Sequence, residues 1–307
     1  MCDAGGVLLI DLPWAKPGRF HKGNLHTHST RSDCTKSPAA VMAVYRDAGY
    51  DFISLTDHFL DRYGFPIVDT REFRDAGFTT LIGAELHAGT FAVGERWHIL
   101  AVGLPLDFAQ PTPTEDGPGI AACAIAAGAW VGIAHPAWYD LNVADAQTLV
   151  GAHAVEIWNE TCYWLNGRGD SNEIYDLMLA SGQRINCYAA DDAHFKERPD
   201  DRAAWVQVRA TANDPAALLA ALKAGDYYSS TGPTIEDVRC DGECIHVRCS
   251  PSEAIFVSGR GAKYEAVYGP NCTRASLPIA KFAGAYCRVT VMDAARRRAW
   301  TNPIWFS

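Results

Sequence analysis

The sequence lacks three features that define large classes of protein. No apolar run reaches the roughly 20 residues that a membrane-spanning helix needs, so we expect no membrane segment. The N-terminus has no basic segment ahead of its short apolar patch, so we expect no signal peptide. The net charge of −9 offers no basic face to a nucleic-acid backbone, so we expect no nucleic-acid partner.

Closely paired cysteines are also missing. The ten cysteines are scattered, and no Cys-x-x-Cys pair occurs. The tightest group, Cys240, Cys244 and Cys249, has a spacing that fits no common zinc finger or zinc ribbon. We therefore expect free thiols, which are typical of a reducing compartment, and a cytoplasmic protein.

The composition and the order of segments predict a two-domain α/β protein. Hydrophobic residues make up 48% of the 307 residues, which is enough for a sizeable core. Strand-like and helix-like segments alternate from about residue 22 to 230, a pattern typical of a mostly parallel sheet. From about Thr231 only strand-like runs follow, separated by turn residues, at 244–249, 254–258, 264–268, 275–279, 286–292 and 299–306. We predict a first domain over residues 1–230 and a small all-β, sandwich-like domain over residues 231–307.

The first concentration of polar residues lies at the ends of two predicted strands, residues 23–28 and 51–56. His26 and His28 are two residues apart, so both rings point to the same face of an extended strand and can grip a divalent metal. Asp33 follows in a loop, and Asp57 and His58 end the next apolar strand. A single His-x-His is more often structural than metal-binding, so the metal hypothesis depends on recurrence along the chain.

Metal-type side chains do recur at the end of almost every apolar strand of the first domain. They are His26, His28, Asp33, Asp57, His58, Glu85, His98, His135, Asp192 and His194. Burying so many titratable groups without metal would be costly, whereas divalent ions keep imidazoles neutral and carboxylates ionised. The number is too large for one ion and predicts two or three, with a carboxylate such as Glu85 bridging them. Nitrogen and oxygen donors without thiolate suit Mn, Fe or Zn.

These motifs resemble the polymerase and histidinol phosphatase (PHP) family. The matching motifs are His26-Thr-His28 with Asp33, Thr56-Asp57-His58, Gly83-Ala-Glu85, His98-Ile-Leu, Ala134-His135-Pro136 and Asp192-Ala-His194. They follow the family's order over residues 22–195. The resemblance implies a distorted (β/α)7 barrel with a two- or three-metal cleft that hydrolyses phosphomonoesters or phosphodiesters. One departure is Ser32-Asp33-Cys34, where the family has Ser-Asp-Gly.

The resemblance also implies which residues share an ion. One ion would be held by His26, His28, Glu85 and Asp192. A second ion would be held by Glu85, His98 and His135. A third group, which completes the cluster or forms a third site, is Asp33, His58 and His194. His87 forms a Glu-x-His pair with Glu85 and is an alternative to His98.

Other polar residues are expected to support the ligands. Asp57 and Asp191 each stand beside a predicted ligand, a position typical of a carboxylate that orients its neighbour rather than binding metal. Glu156 and Asn159 stand at a strand end, where pocket-lining and structural roles remain equally open.

Four residues are candidates for contact with the substrate. Arg31 and Arg168 are candidates to grip a phosphate group. Asp33 or His194, near the leaving group, is the candidate general acid.

The predicted function is therefore a metal-dependent hydrolase of a small-molecule phosphoester, with a metal-bound water as nucleophile. Two alternatives remain open. The β tail ending in Ala299-Trp-Thr-Asn302-Pro303-Ile also resembles a PHP subgroup with carbamate and ester hydrolases of the carbaryl-degrading type. A catalytically silent metal-binding barrel is the other alternative. The β domain could form a homo-oligomer, bind a partner or shape the cleft.

Overall fold

The structure is a computed structural model that describes residues 11–306. The chain divides into two compact units: Gly18–Ser229, which we call the α/β unit, and residues 11–17 with 230–306, which we call the β unit. The predicted first domain, residues 1–230, includes residues 11–17, which the structure groups with the β unit, and ten residues outside the described range. The predicted mixed α/β class is confirmed.

Helices alternate with strands in the α/β unit, whereas the β unit is built mainly of strands. The described residues form six α-helices: α1 (Pro38–Asp47), α2 (Gly117–Ala126), α3 (Val143–Thr148), α4 (Glu160–Asn166), α5 (Asn172–Ala180) and α6 (Pro215–Ala224). The strands of the α/β unit are β1 (Arg19–Asn24), β2 (Phe52–Leu55), β3 (His58–Phe59), β4 (Thr79–Leu86), β5 (Ile99–Val102), β6 (Trp130–Ile133), β7 (Ala154–Asn159), β8 (Asn186–Ala190), β9 (Trp205–Ala210) and β10 (Tyr227–Ser230). The remaining strands are β11 (Ile235–Cys240), β12 (Cys244–Gly259), β13 (Tyr264–Pro278), β14 (Tyr286–Met292), β15 (Arg298–Thr301) and β16 (Ile304–Trp305).

Helix α1 shows how local sequence sets the element boundaries. Pro38 occupies the first helical position, and the Ser37 hydroxyl accepts a hydrogen bond from Ala40 N, which satisfies one of the free N–H groups at the helix start. Gly49 follows the helix with a positive φ of 74°, a conformation that costs glycine little.

Most neighbouring strands of the α/β unit run parallel, but β9 is antiparallel to β1, and β5 is antiparallel to both of its neighbours. β1, β2 and β4 pair in parallel, as do β6, β7 and β8. β5 lies between β4 and β6 and is antiparallel to both. The start of β5 therefore lies at the same edge of the sheet as the ends of its neighbours. This reversal explains how His98, which precedes β5, can join side chains that follow the other strands.

The chain segments beyond β1 and β8 are hydrogen-bonded to each other. Thr27 and Ala193 form an isolated parallel bridge. Asp192 N donates to His26 O at 2.9 Å, and His28 N donates to Ala193 O at 3.0 Å. The predicted strand over 23–28 thus ends at Asn24, and the residues after it are held by this bridge instead. The bridge brings two candidate ligand motifs side by side.

The core of the α/β unit lies beneath these strand ends. Its largest fully buried side chains include Trp130 and Tyr188, whose rings meet edge to face at 5.1 Å. Gly132 is required beside them, because a Cβ at this position would lie 2.7 Å from the Tyr188 ring. The aromatic pair therefore packs β6 against β8, across the intervening β7, within the core of the α/β unit.

Two strands of the β unit are longer than the sequence predicts. The runs predicted at 244–249 and 254–258 are one strand, β12, whose register against β13 shifts between Arg248 and Ala254. The runs predicted at 264–268 and 275–279 likewise form the single strand β13. Turn-type residues at these positions mark a β-bulge rather than a chain reversal. Within residues 11–306, no helix combines the length and hydropathy that crossing a bilayer requires.

Candidate metal centre

The first pair of candidate ligands is held by the segment that follows β1. The side chains of His26 and His28 are fully buried, and their ring centroids are 5.3 Å apart. Asp192, which follows β8, faces both of them. Its Oδ1 lies 2.7 Å from His28 Nε2 and 3.2 Å from His26 Nε2. These three residues can place their ligand atoms within 4.8 Å of one another, a spacing that suits a shared ion.

Glu85, near the end of β4, is the centre of the cluster. Its carboxylate is fully buried, and six imidazoles surround it. Oε1 faces His98 Nδ1 at 2.7 Å and His135 Nε2 at 3.2 Å. Oε2 faces four other rings: His58 Nδ1 at 2.6 Å, His26 Nε2 and His28 Nε2 at 3.6 Å each, and His87 Nε2 at 3.7 Å. A carboxylate placed in this way can bridge ions on its two sides.

A third group forms where the loop after β1 returns towards the chain after β8. Asp33 Oδ1 lies 3.2 Å from His194 Nε2 and 3.4 Å from His58 Nε2. The other oxygen of Asp33 pairs with Lys196 Nζ at 3.0 Å. His58 lies opposite Glu85 in the β3–β4 register, so it links this group to the central carboxylate.

All nine predicted metal ligands are therefore brought into one cluster, together with His87. The structure contains four overlapping ligand groups: His28, Asp33, His58 and His194; His26, His28 and Asp192; His26, Glu85 and His135; and His58, Glu85 and His87. Seven of the ten histidines lie in this cluster, and the other three, His21, His153 and His246, lie outside it. Which residues bind which ion remains a prediction.

Two candidate ligands have unusual backbone conformations. His135 has a φ of 26°, and Asp192 has a φ of 55°. Residues other than glycine rarely adopt positive φ, and such strain is concentrated at functional sites. The surrounding hydrogen bonds hold it in place, since His135 N donates to Glu156 Oε2 at 2.7 Å and Asp192 N donates to His26 O.

Burial and neighbouring charges hold His28, His98 and Glu85 in the protonation state that metal binding needs, whereas nearby carboxylates raise the pKa of His26, His58 and His194 against the effect of burial. Burial, with help from nearby histidines, lowers the pKa of both His28 and His98 to about 3, so these rings are neutral. Burial opposes ionisation of Glu85, but His58, His98 and His87 hold the pKa of its carboxyl well below the usual range. Neutral imidazoles and an ionised carboxylate are the forms that ligate divalent ions.

The cluster also contains ligand atoms that the protein itself leaves unsatisfied. Five buried atoms have no hydrogen-bond partner among the described residues: His26 Nε2, His28 Nδ1, Asp33 Oδ1, Glu85 Oε2 and His135 Nδ1. Unpaired buried polar atoms are costly, so their concentration in one place requires an explanation. Divalent cations would satisfy them, and the donor set therefore fits the predicted ions.

Glu156 and Asn159, whose roles the sequence left open, lie directly behind the ligands. His26 Nδ1 donates to Glu156 Oε1 at 3.0 Å. Asn159 Nδ2 donates both to Glu156 Oε2 at 2.9 Å and to Asp192 Oδ2 at 3.1 Å. A carboxylate that receives the outer N–H of a ligand histidine fixes its tautomer and orientation.

Replacing Glu156 by Gln tests this support. The substitution keeps the size of the side chain but removes the charge opposite His26 Nδ1. We expect metal affinity to fall by about 10–100-fold, the usual cost of losing an outer-sphere partner. Chelator competition on the purified variant measures it, with the exposed Glu173→Gln as the matched control. Equal affinities in the two variants would show that Glu156 does not support the site.

The two predicted supporting aspartates occupy different positions relative to the ligands. Asp57 accepts hydrogen bonds from Ser29 N and Oγ and from Ser32 Oγ at 2.7–2.8 Å, so it ties down the loop between His28 and Asp33. It makes no described hydrogen bond to its neighbour His58.

Asp191 faces away from the cluster and is also fully buried. It accepts from the Tyr45 hydroxyl at 2.7 Å and from Ala203 N at 2.9 Å and Ala204 N at 2.8 Å, while burial raises its pKa to about 7. Asp191 thereby anchors the segment in which Asp192 lies.

A cavity of about 410 Å³ opens over the cluster. Its floor includes Asp33, His58, His87, His98, His135, Asp192 and His194. Its wall carries four cationic side chains: Arg62, Arg96, Lys196 and Arg198. Apolar side chains complete the wall: Leu60, Trp138, Cys162 and Leu165. The cavity thus combines a metal-type floor with positive charge and apolar surface.

The arginines predicted to grip a phosphate do not line this cavity. Arg168 pairs instead with Asp140 at 2.8 Å, and both side chains are largely exposed. Arg31 is exposed on the loop after β1. Of the four cations that do line the cavity, Arg62 lies in a short 3-10 helix, Arg96 in an isolated bridge with Thr90, and Lys196 and Arg198 in irregular chain, where no periodic pattern in the sequence marks them.

Comparison with known proteins supports the fold. No family model and no curated protein sequence matches the chain. Among solved structures, a two-domain protein from Bacteroides vulgatus, described as containing a predicted PHP-like metal-dependent phosphoesterase, has a TM-score of 0.50 at 15% identity. The match covers 98% of this chain and 100% of that one. The chain has the fold of this PHP-like protein. The family resemblance predicted from the motifs is confirmed at the level of the fold.

Two further structures are more distant. A proposed metal-dependent phosphoesterase from Bifidobacterium adolescentis has a TM-score of 0.44 at 16% identity, over 58% of this chain and 89% of that one. The lesion-specific endonuclease EndoQ from Pyrococcus furiosus has a TM-score of 0.46 at 16% identity, over 67% of this chain and 56% of that one.

Proposed function

We propose that the protein is a metal-dependent hydrolase of phosphoesters. The observation that carries this proposal is a cluster of seven imidazoles and three carboxylates at the floor of a cavity whose wall bears four cations. The ligand cluster suits divalent ions, and the cations suit an anionic substrate. A small phosphomonoester or phosphodiester satisfies both.

The ligands would be shared among two or three ions, as the PHP resemblance implies. His26, His28, Glu85 and Asp192 would hold one ion, and Glu85, His98 and His135 would hold a second. Asp33, His58 and His194 would complete the cluster or form a third site. Bound Mn, Fe or Zn would supply Lewis acidity, which lowers the pKa of water and stabilises negative charge on the reacting oxygens.

Where its ring does not bind an ion, His194 is better placed than Asp33 to give a proton to the leaving oxygen. Burial opposes ionisation of Asp33, but His194, His28 and His58 hold its pKa well below the usual range, so Asp33 has no proton to give at neutral pH. Although burial acts in the opposite direction, Asp33 and Asp192 raise the pKa of His194. Asp33 therefore serves to orient His194, with which it pairs at 3.2 Å.

The resemblance to the PHP family also suggests how the strands of the α/β unit are arranged. The Thr27–Ala193 bridge links the ends of β1 and β8, and between them β2, β4, β5, β6 and β7 pair in sequence. We propose that these seven strands form the distorted (β/α)7 barrel, and that the β unit is a sandwich-like domain.

A carbamate or carboxyl-ester hydrolase is the second candidate. Leu60, Trp138, Cys162 and Leu165 give the cavity an apolar wall that could accept an aryl group. The same ligand cluster would serve either reaction, so only the substrate distinguishes the two functions.

An assay of the metal-loaded protein tests both candidates. The substrates are p-nitrophenyl phosphate, bis-p-nitrophenyl phosphate and an aryl carbamate, each measured with and without chelator. We expect chelator-sensitive turnover of a phosphoester. Turnover of the carbamate alone would establish the second candidate, and no turnover of any substrate would favour a silent metal-binding barrel.

The cavity cations provide a more specific prediction. Arg62→Gln and Arg96→Gln should each raise KM for p-nitrophenyl phosphate by roughly 3–10-fold, because exposed charges act through solvent and contribute modestly. Arg31→Gln and Arg168→Gln, whose parent residues lie outside the cavity, are the matched controls and should leave KM unchanged. An increase confined to the controls would show that the anion binds elsewhere.

A further inference from the structure

His87 stands in the cluster without belonging to any of the ligand sets that the PHP resemblance implies. It follows Glu85 by two residues along an extended segment, so both side chains reach the same face. The His87 side chain is 1% exposed and lies against the Oε2 side of the central carboxylate. The sequence offers His87 only as a substitute for His98.

The structure shows that His87 and His98 are not substitutes for each other. His98 Nδ1 approaches Glu85 Oε1 at 2.7 Å. His87 Nε2 approaches the opposite oxygen, Oε2, at 3.7 Å. The two rings meet edge to face with centroids 4.3 Å apart, so each has its own place beside the carboxylate.

The hydrogen bond on the far side of the His87 ring fixes its tautomer. His87 Nδ1 lies 3.0 Å from the carbonyl oxygen of Trp97. A carbonyl oxygen can only accept, so Nδ1 carries the hydrogen and the Nε2 of the neutral ring presents a lone pair to the cluster. A ligand histidine typically donates its outer N–H to a carbonyl or carboxylate in this way.

Three ligand atoms converge at the position that this lone pair faces. His58 Nδ1 lies 2.9 Å from His87 Nε2 and 2.6 Å from Glu85 Oε2. Glu85 Oε2 has no hydrogen-bond partner among the described residues, despite this short approach. His58 Nδ1 and His87 Nε2 are hydrogen-bonded to each other, so Glu85 Oε2 is the unsatisfied atom of the three, and a cation bound there would be shared with the two imidazole nitrogens. His58, Glu85 and His87 form a ligand group within 4.8 Å.

We propose that His87 is a metal ligand in addition to His98, and that it holds a divalent transition-metal ion together with Glu85 and with His58, which then binds through Nδ1 here rather than through Nε2 beside Asp33. The set of two imidazole nitrogens and one carboxylate oxygen suits Zn, Fe, Mn or Co. This inference rests on the proposed metal-dependent function, but it concerns which residues bind the ions.

Cobalt binding tests the proposal without relying on turnover. Wild type, His87→Gln, His98→Gln and the matched control His246→Gln, whose parent residue lies in the β unit, are loaded with Co²⁺. Bound ions are counted by elemental analysis, and their affinity is measured by chelator competition. We expect His87→Gln to bind one ion fewer or to hold one ion at least about tenfold more weakly, with a changed visible cobalt spectrum. His98→Gln should change a different part of that spectrum.

The outcomes separate this inference from the proposed function. If wild type binds two or three ions and His87→Gln matches it in count, affinity and spectrum, His87 is not a ligand and only this inference fails. If wild type binds no Co²⁺, the proposed function fails as well. Should His87→Gln fold poorly by circular dichroism, His87→Asn replaces it, because its amide can still donate to Trp97 O and offers no nitrogen lone pair.

Discussion

Replacing Glu85 by Gln is expected to lower phosphoesterase activity by at least about 10³-fold, equivalent to about 4 kcal/mol of transition-state stabilisation. The six imidazoles around Glu85 approach both of its oxygens, so this one carboxylate contributes to every part of the cluster. Gln preserves the volume of the side chain but removes the negative charge that would attract and bridge the ions. Metal content and kcat/KM of the purified variant measure the effect.

The expected loss is specific to the bridging position. Glu156→Gln, which changes a carboxylate behind the ligands, should lose less activity, and the exposed Glu173→Gln should lose none. Circular dichroism of Glu85→Gln checks that the fold persists. A Glu85→Gln protein that keeps wild-type metal content and wild-type activity would rule out a central role for this residue.

Much of the site could be predicted because its residues end regular, buried strands. Glu85 lies in β4, His135 follows β6 and Asp192 follows β8, so the sequence pattern alone places each at one edge of a sheet. His98 fits the same rule only because β5 is reversed. Strand direction leaves no trace in hydrophobic periodicity, so the reversal becomes visible only in the folded chain.

The residues that sequence reasoning misplaced or missed belong to loops and irregular segments. Arg62, in a short 3-10 helix, and Arg96, in an isolated bridge with Thr90, line the cavity through local conformations that no short sequence pattern encodes. Asp200 is another example, since it accepts from His194 N at 3.2 Å and from the Thr161 hydroxyl at 3.0 Å, which joins two separate segments of the chain. Contacts of this kind depend on tertiary packing. The sequence therefore shows how many arginines the chain has, but it does not show which of them line the cavity.

Removing the metal ions should destabilise the protein as well as inactivate it. The α/β unit buries an unusual number of imidazoles and carboxylates whose ligand atoms lack other partners among the described residues. A ligand that binds only the folded state stabilises it by about 2.7 kcal/mol at 100 times its Kd, so two such ions contribute about 5 kcal/mol. For a unit of this size we expect Tm to fall by about 10–20 °C on chelation. Differential scanning calorimetry of the protein before and after chelator treatment measures this shift.

The identity of the metal that restores Tm after chelation provides a further test of the site. Seven imidazoles in the cluster favour Zn, Fe or Mn over Mg or Ca, which prefer oxygen ligands. Adding back Zn²⁺ or Mn²⁺ should therefore restore Tm, whereas the same concentration of Ca²⁺ should restore little. Glu85→Gln is the matched control, because a protein unable to bridge ions should show a much smaller shift in either direction. An unchanged Tm on complete metal removal would mean that the buried cluster is stable without ions. The argument that the unpaired buried ligand atoms require metal would then fail.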